Sequence, residues 1–411
     1  MQRISSYIRK ILVAAFCVGL SLFSQAQSLH EIRVDLVYLA SDYLGGREAG
    51  TIGEALAAEH IAARFEQIGL APYGEEGKYF QPFAFTYSTD PHGANGEERT
   101  GNNVVGWIDN GAAATVIIGA HYDHVGMGDF GSRSNGDPAV HNGADDNASG
   151  VAGLLYLAAK LKASQLRGHN YVFVAFTAEE LGLFGSKHYV KAPTCDLESV
   201  SYMLNLDMVG RLDEEQNLVI NGAGTSPQWQ STFANLAHLP MRLTTTESGI
   251  GASDHTSFYL QDIPALHFFT GTHTDYHTPA DDSDKINFEG IKQVADWMYA
   301  LIAQVDDVEQ LEFSKTKDES RRQASSFKVT LGVMPDYSEG DGNGMRIDAV
   351  LDNRPAQRAG IQDGDVVVQI GDIEVNDIYD YMEGLSKFEP GEKTQVKVRR
   401  GEEMLTLEVE F

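Results

Sequence analysis

The feature that most constrains the fold is the run Tyr171-Val172-Phe173-Val174-Ala175-Phe176, which ends in Thr177-Ala178-Glu179-Glu180. A strand open to water on one face alternates apolar and polar residues, whereas one covered on both faces reads as a continuous apolar run. The run therefore predicts an interior strand of a parallel sheet with helices on both sides. In open sheets of this kind ligands sit beyond the carboxyl ends of the strands. Two adjacent acids there cost free energy unless a cation or a proton neutralises one of them. Glu179 and Glu180 could also open the following helix, where acids are favoured. Two other strand ends weigh against that reading. Thr115–Ala120 runs into His121-Tyr122-Asp123, and Tyr202–Leu206 runs into Asp207.

Alternating strands and helices continue from Thr115 to a helix over about 289–304, the pattern of a layered α/β domain. Before it, residues 28–70 read as helical. Ala58, Ile61, Phe65 and Ile68 form one buried face, Gly69 is the stop, and a glycine-rich turn lies at Leu44–Gly50. That turn lacks the Gly-Lys-Ser/Thr of a phosphate loop. Short strands are expected at 79–87 and 102–109, and another at Pro264–Phe269. Residues 305–325 are polar and charged, and the segment from about 326 alternates with β periodicity. The resulting division is an export signal at 1–26, a large domain at 27–308, a linker at 309–325 and a small β-rich domain at 326–411.

Residues 1–26 combine Arg3, Arg9 and Lys10 with a short apolar core and the small-x-small Ser24-Gln25-Ala26, the pattern of a secretory signal. Export to the periplasm or the medium is expected, with no transmembrane anchor left after cleavage. Only Cys195 would then remain, so no internal disulfide can form. The formal charge of −28 deepens by three on losing the signal, which excludes nucleic acid as a natural partner. An excess of this sign suits cations and free amino termini.

The polar residues at the strand ends, His121, Asp146, Glu180, Asp207 and His277, form a ligand set of imidazoles and carboxylates. Such a set suits zinc or a similar divalent metal. Five residues supply three ligands to each of two ions only if one carboxylate bridges, and Asp146 is the natural bridge. Asp123 is placed to orient an imidazole. Glu179, left over from the pair, can serve as general base.

The motifs His121-Tyr122-Asp123, Gly143–Gly150, Glu179-Glu180, Asn205-Leu206-Asp207-Met208 and Tyr276-His277-Thr278 resemble, in order and spacing, the secreted two-zinc aminopeptidases of the aminopeptidase Y type. Their superfamily includes glutamate carboxypeptidase and glutaminyl cyclase. The resemblance covers roughly residues 30–305. It implies a three-layer α/β/α domain with a mixed, mainly parallel central sheet, two zinc ions, and peptide substrates with a free amino terminus. It makes His121 and Asp207 ligands of one ion and Glu180 and His277 ligands of the other. Asp146 bridges them, Glu179 is the base, and Tyr276 stabilises the tetrahedral intermediate. Ser253–Phe258 resembles a pocket-lining segment, or else Ser253 caps a helix and Phe258 enters the core. His124 and His141 read as polar loop residues, and His169, His188, His238 and His267 as surface or satisfied core groups.

Thr330-Leu331-Gly332-Val333 and Arg354–Asp365 resemble a bacterial PDZ module, which implies a peptide or protein ligand added as a strand. The alternatives are a carboxypeptidase or dipeptidase on the same metals, with Arg211 as the candidate for a substrate carboxylate, a one-zinc glutaminyl cyclase, and a non-catalytic peptide-binding protein.

Overall fold

A computed structural model describes residues 29–87, 96–129, 131–134, 138–316, 329–335, 344–350, 354–375, 378–401 and 403–411. The signal expected at 1–26 and positions 317–325 of the expected linker lie outside these residues. Among the described residues, no helix is long and apolar enough to cross a membrane.

The chain starts with helix α1 (residues 29–39), a tight turn at Asp42–Arg47 and helix α2 (Ile52–Ile68). Thr51 caps α2 through a hydrogen bond from the Glu54 N–H, and Gly69 ends it in the left-handed conformation that glycine tolerates best. Strands β1 (Ala71–Pro72), β2 (Phe80–Tyr87), β3 (Glu97–Ile108) and β4 (Ala114–His121) follow. Then come α3 (Gly150–Ala163), β5 (His169–Phe176), α4 (Phe184–Lys191) and β6 (Val200–Leu206). The domain is completed by β7 (Asn217–Asn221), α5 (Gln228–Leu236), β8 (Arg242–Thr245), α6 (His255–Tyr259), β9 (Ala265–Phe269) and α7 (Phe288–Gln304).

The sheet order is β1-β3-β5-β4-β6-β9-β7-β8, with β2 paired to β3. Its centre, β5-β4-β6-β9, is parallel throughout, and antiparallel pairs join it to β3 and β7. The sheet is mixed and mainly parallel at its core, as expected. Successive residues of β5 enter opposite layers. Tyr171, Phe173 and Ala175 pack with the helices α1, α2, α3 and α7, while Val172, Val174 and Phe176 pack with Tyr189 of α4 and Phe258 of α6. Val116 and Ile118 of β4 join the first layer and Ile117 the second. Replacing a wholly buried side chain such as Phe173 by alanine in a core of this kind costs about 3–5 kcal/mol.

The elements β7, α5 and β8 fall between Asp207 and Ser253, where the sequence pattern assigns nothing, and α6 falls in the Ser253–Phe258 segment, for which a helix is one of two readings. The edge strand β8 is largely exposed and α6 has five residues, so neither carries enough buried positions to show a period.

Part of the expected linker is packed on the large domain. Leu311 is buried in its core, its N–H donates to Ser201 Oγ, and Thr316 Oγ1 lies 2.8 Å from the Tyr259 hydroxyl. Strands β10 (Val333–Pro335), β11 (Met345–Val350), β12 (Val366–Ile370), β13 (Ile373–Glu374), β14 (Lys393–Arg400) and β15 (Glu403–Glu410) form a separate antiparallel sheet with helices α8 (Pro355–Ala359) and α9 (Ile378–Leu385). This unit has its own core, built on Leu331, Ile347, Val367, Val396, Val398 and Val409.

Candidate active site

The parallel register aligns the strand ends, with His121 of β4 opposite Phe176 of β5 and Gly119 of β4 opposite Asn205 of β6. The loops leaving those ends therefore converge. His121 Nε2 lies 3.3 Å from Asp146 Oδ1 and 3.4 Å from Asp207 Oδ1. His277 Nε2 lies 3.0 Å from Asp146 Oδ2 and 3.1 Å from Glu180 Oε2. Each oxygen of Asp146 thus faces a different imidazole, and each of those imidazoles meets a second carboxylate, Asp207 or Glu180. All five proposed ligands come together, and Glu179 joins His121 and Glu180 in a third group of converging donors.

The backbone is bent to achieve this. Ala178, Met208 and His277 have φ of 55°, 52° and 54°, a left-handed region that residues other than glycine seldom enter. Each lies at or beside one of the converging side chains, where surrounding contacts must hold the strain. For the paired glutamates the hold is Asp123. Its carboxylate accepts the N–H groups of Glu179 at 3.0 Å and Glu180 at 3.3 Å. Its distance to His121 Nδ1 is 3.7 Å, too long for a hydrogen bond, and the nearer acceptor for that nitrogen is the Asp123 main-chain oxygen at 3.3 Å. The Asp123 carboxylate therefore orients the glutamate turn, and it is the Asp123 main-chain oxygen that meets the imidazole.

Asp207 is fixed by Ser253, whose hydroxyl donates to Asp207 Oδ2 at 2.6 Å and accepts from Asn205 Nδ2 at 2.7 Å. Ser253 does not cap α6, which begins at His255 without a side-chain cap, although Phe258 is buried in the core as expected. Asp146 is held from the far side, where Asp281 Oδ2 accepts the N–H groups of Asp145 and Asp146. Asp281 Oδ1 in turn accepts from Arg211 Nη2, which also bonds Asp275.

Arg47 occupies the glycine-rich turn. Its guanidinium is wholly buried and donates to the main-chain oxygens of Leu39, Tyr122, Asn142 and Gly143, tying α1 to the loops that carry His121 and Asp146. Gly46 is required beside it. A side chain there would meet the main chain of Gly126 and His141, and its φ is 76°.

Sequence reasoning misplaced His124 and His141, and it reached Asp254 and His255 only as part of the Ser253–Phe258 segment. His124 is buried, with Nδ1 2.8 Å from Glu180 Oε1 and 3.7 Å from Asp146 Oδ2, so it belongs to the centre and not to a polar loop. Its signal was its place three residues after His121 on the same strand end. Asp254 is wholly buried beside this centre with no hydrogen-bond partner for either oxygen among the described residues. His255 is buried against His267 with ring centroids 4.9 Å apart. His141 is likewise buried, bonded to Ser132 and Ala139. Tyr276 is half-buried and stacked on His277, with ring centroids 4.0 Å apart.

The electrostatics ask for positive charge. Burial opposes the imidazolium form of His121 and His277, yet Asp207 and Glu179 around the first, and Glu180 and Asp146 around the second, push both well above the usual imidazole range. Burial works to raise Asp146, and the imidazoles of His121, His277 and His124 around it overcome that and hold the carboxyl well below its usual range. Protons gather where cations would sit. His277 Nε2 is buried and has no hydrogen-bond geometry to either nearby carboxylate. Nitrogen and oxygen atoms about 2.0–2.1 Å from one tetrahedral ion are roughly 3.3 Å apart. The separations above bracket that value, so the residues fit a metal.

Residues 103–302 match peptidase family M28. The large domain carries this match, which spans just under half of the chain. Residues 314–411 match the PDZ domain family, so the small β-rich unit is a PDZ domain. The M28 domain is 31% identical over 219 residues to the uncharacterized protein YfbL of Escherichia coli K12, covering 46% of this chain and 66% of that one. It is 32% identical over 197 residues to aminopeptidase YwaD of Bacillus subtilis, covering 46% and 40%. The chain thus spans less than two-thirds of the length of either relative. In fold it is similar to the crystal structure of BSAP, a zinc aminopeptidase from Bacillus subtilis, with a TM-score of 0.55, 20% identity and coverage of 69% and 95%.

Proposed function

We propose that the M28 domain is an exported metallo-aminopeptidase that holds two zinc ions and removes amino-terminal residues from peptides. The observation that carries this reading is the division of Asp146, with His121 and Asp207 facing one oxygen and His277 and Glu180 facing the other. Each half of this set offers nitrogen and oxygen donors, and Asp146 is common to both. The names of the aminopeptidase and zinc aminopeptidase relatives support the reaction and the metal. Bound zinc supplies Lewis acidity, lowering the pKa of a water toward neutrality and polarising the scissile carbonyl.

The chain's own groups do the rest. Burial, joined by Glu180, Asp254 and Asp207 and opposed by His121, pushes Glu179 well above the usual carboxyl range. A carboxylate tuned in that direction accepts a proton from water and returns it to the departing amine. The Tyr276 phenol is held well above its usual range by burial and by Asp146 and Glu180, so it stays protonated and can donate to the developing oxyanion. The cluster of carboxylates attracts the ammonium of a free amino terminus. Arg211, the candidate for a substrate carboxylate, is neutralised by Asp275 and Asp281, which weakens the carboxypeptidase alternative.

The PDZ domain takes a peptide as an added strand on β10, an edge strand of its sheet, next to the Thr330–Val333 loop. Export rests on the signal pattern at 1–26.

Metal analysis and paired substrates test the proposal. Two zinc ions per chain, both lost in Asp146→Ala, and cleavage of a free but not an N-acetylated peptide are expected. Two ions retained in Asp146→Ala would overturn the bridge, and cleavage from the carboxyl end of acetylated peptides would overturn the direction.

A further inference from the structure

We infer that His124 is a third imidazole ligand of this centre, binding through Nδ1 the ion shared by Asp146, Glu180 and His277. The inference rests on the two-ion reading above and makes the centre unequal. One ion has four protein ligands, and the other has three.

The position of His124 is set before any ion binds. Its N–H donates to the Arg47 main-chain oxygen at 3.2 Å, while Arg47 Nε holds the neighbouring Tyr122 oxygen. The ring is buried and stands edge-on to the His277 ring, at 82° with centroids 5.4 Å apart. Nδ1 of His124 and Nε2 of His277 converge on the same two carboxylates. The four donor atoms, one from each residue, all lie within 4.8 Å of one another. The Nδ1 distances of 2.8 Å to Glu180 and 3.7 Å to Asp146 fall either side of the roughly 3.3 Å expected between ligands of one tetrahedral zinc.

Ligation leaves Nε2 to carry the ring proton. That nitrogen is buried without a partner among the described residues, and His124 lines a cavity of about 10 Å³ together with Glu48, Tyr87 and Asp123.

The competing role is positional, with Nδ1–H donating to Glu180 Oε1 and merely orienting that carboxylate. The two roles differ in consequence. Four protein ligands close a tetrahedral zinc, whereas three leave a position for water or substrate. If His124 ligates, the ion of His121, Asp146 and Asp207 is the open one.

The test is proton NMR of the full chain loaded with cobalt(II), in which each ligated imidazole contributes one strongly shifted exchangeable N–H signal. His121 Nδ1 and His277 Nδ1 face the main-chain oxygens of Asp123 and Gly131, and His124 Nε2 is buried, so all three protons are shielded from exchange. Three signals are expected in the wild type and two in His124→Gln. Glutamine keeps an N–H donor for Glu180, so a purely positional role predicts that this variant binds both ions within about 10-fold of wild type. Ligation predicts a loss beyond about 100-fold for one ion, read by competition with a chelator. Two cobalt ions with only two imidazole signals in the wild type would overturn the assignment of His124 and leave the two-ion centre standing. One cobalt ion per chain would overturn that centre, and the four-ligand assignment with it.

Discussion

Arg47→Lys tests whether the metal loops depend on one buried guanidinium. Arg47 satisfies four main-chain oxygens, on Leu39, Tyr122, Asn142 and Gly143, from a position 1% exposed. A lysine ammonium has three donors on a single atom, so at least one carbonyl is orphaned and the reach to the others is compromised. A hydrogen bond to a charged group contributes about 1.5–3 kcal/mol, which puts the expected loss at roughly 2–4 kcal/mol. The shift in midpoint temperature would be roughly 4–16 °C for a domain of this size. The assay is urea denaturation followed by tryptophan fluorescence, because Trp107, Trp229 and Trp297 all lie in the M28 domain and leave the PDZ domain silent. The loosened loops carry His121 and Asp146, so zinc affinity should fall in parallel. A loss below about 0.5 kcal/mol, the scale of an ordinary surface substitution, would refute the claim that Arg47 organises these loops.

Three further outcomes follow from the geometry. Glu179→Gln should lower turnover roughly 10²- to 10⁴-fold at unchanged zinc content, and near-native turnover in the metal-loaded variant would exclude the base assignment. Burial pushes the Asp254 carboxyl up to about 7, so the metal-free folded state binds that proton more tightly than the unfolded chain and loses stability as pH rises from about 4 to 7. Asp254→Asn should therefore stabilise the metal-free domain by a few kcal/mol at pH 8 and by little at pH 4, and equal urea midpoints for variant and wild type at pH 8 would contradict this. A chain ending at Thr316 should keep full turnover of an aminoacyl amide, while one ending at Val308 exposes the site of Leu311 and should lose about 1.5–3 kcal/mol or more of stability. Lost turnover at Thr316 would instead assign the PDZ domain a role in supporting the active site.

Much of this protein is legible in its amino-acid sequence. The run Tyr171–Phe176 indicates a strand buried on both faces because a period of two places successive side chains in opposite layers, and in β5 each layer receives its half. The residues His121, Asp146, Glu180 and Asp207 are legible because each sits close to the end of an apolar run or the start of a helix, where polarity stands out against its surroundings, and His277 because it follows the strand Ala265–Phe269 in a polar turn. Only tertiary structure decided the rest. The Asp123 carboxylate serves the backbone of Glu179, 56 residues away, and of Glu180, and leaves the imidazole two residues before it to the Asp123 main-chain oxygen. Ser253 holds Asp207 across 46 residues. Arg47, in a turn that reads as a surface loop, is enclosed by carbonyls from as far along the chain as Gly143. His124 reads as a loop residue because nothing in its immediate neighbours announces burial. Its exclusion from water comes from long-range packing of the loops over the strand ends, and a local pattern of apolar residues carries no record of which polar groups that packing will bring together.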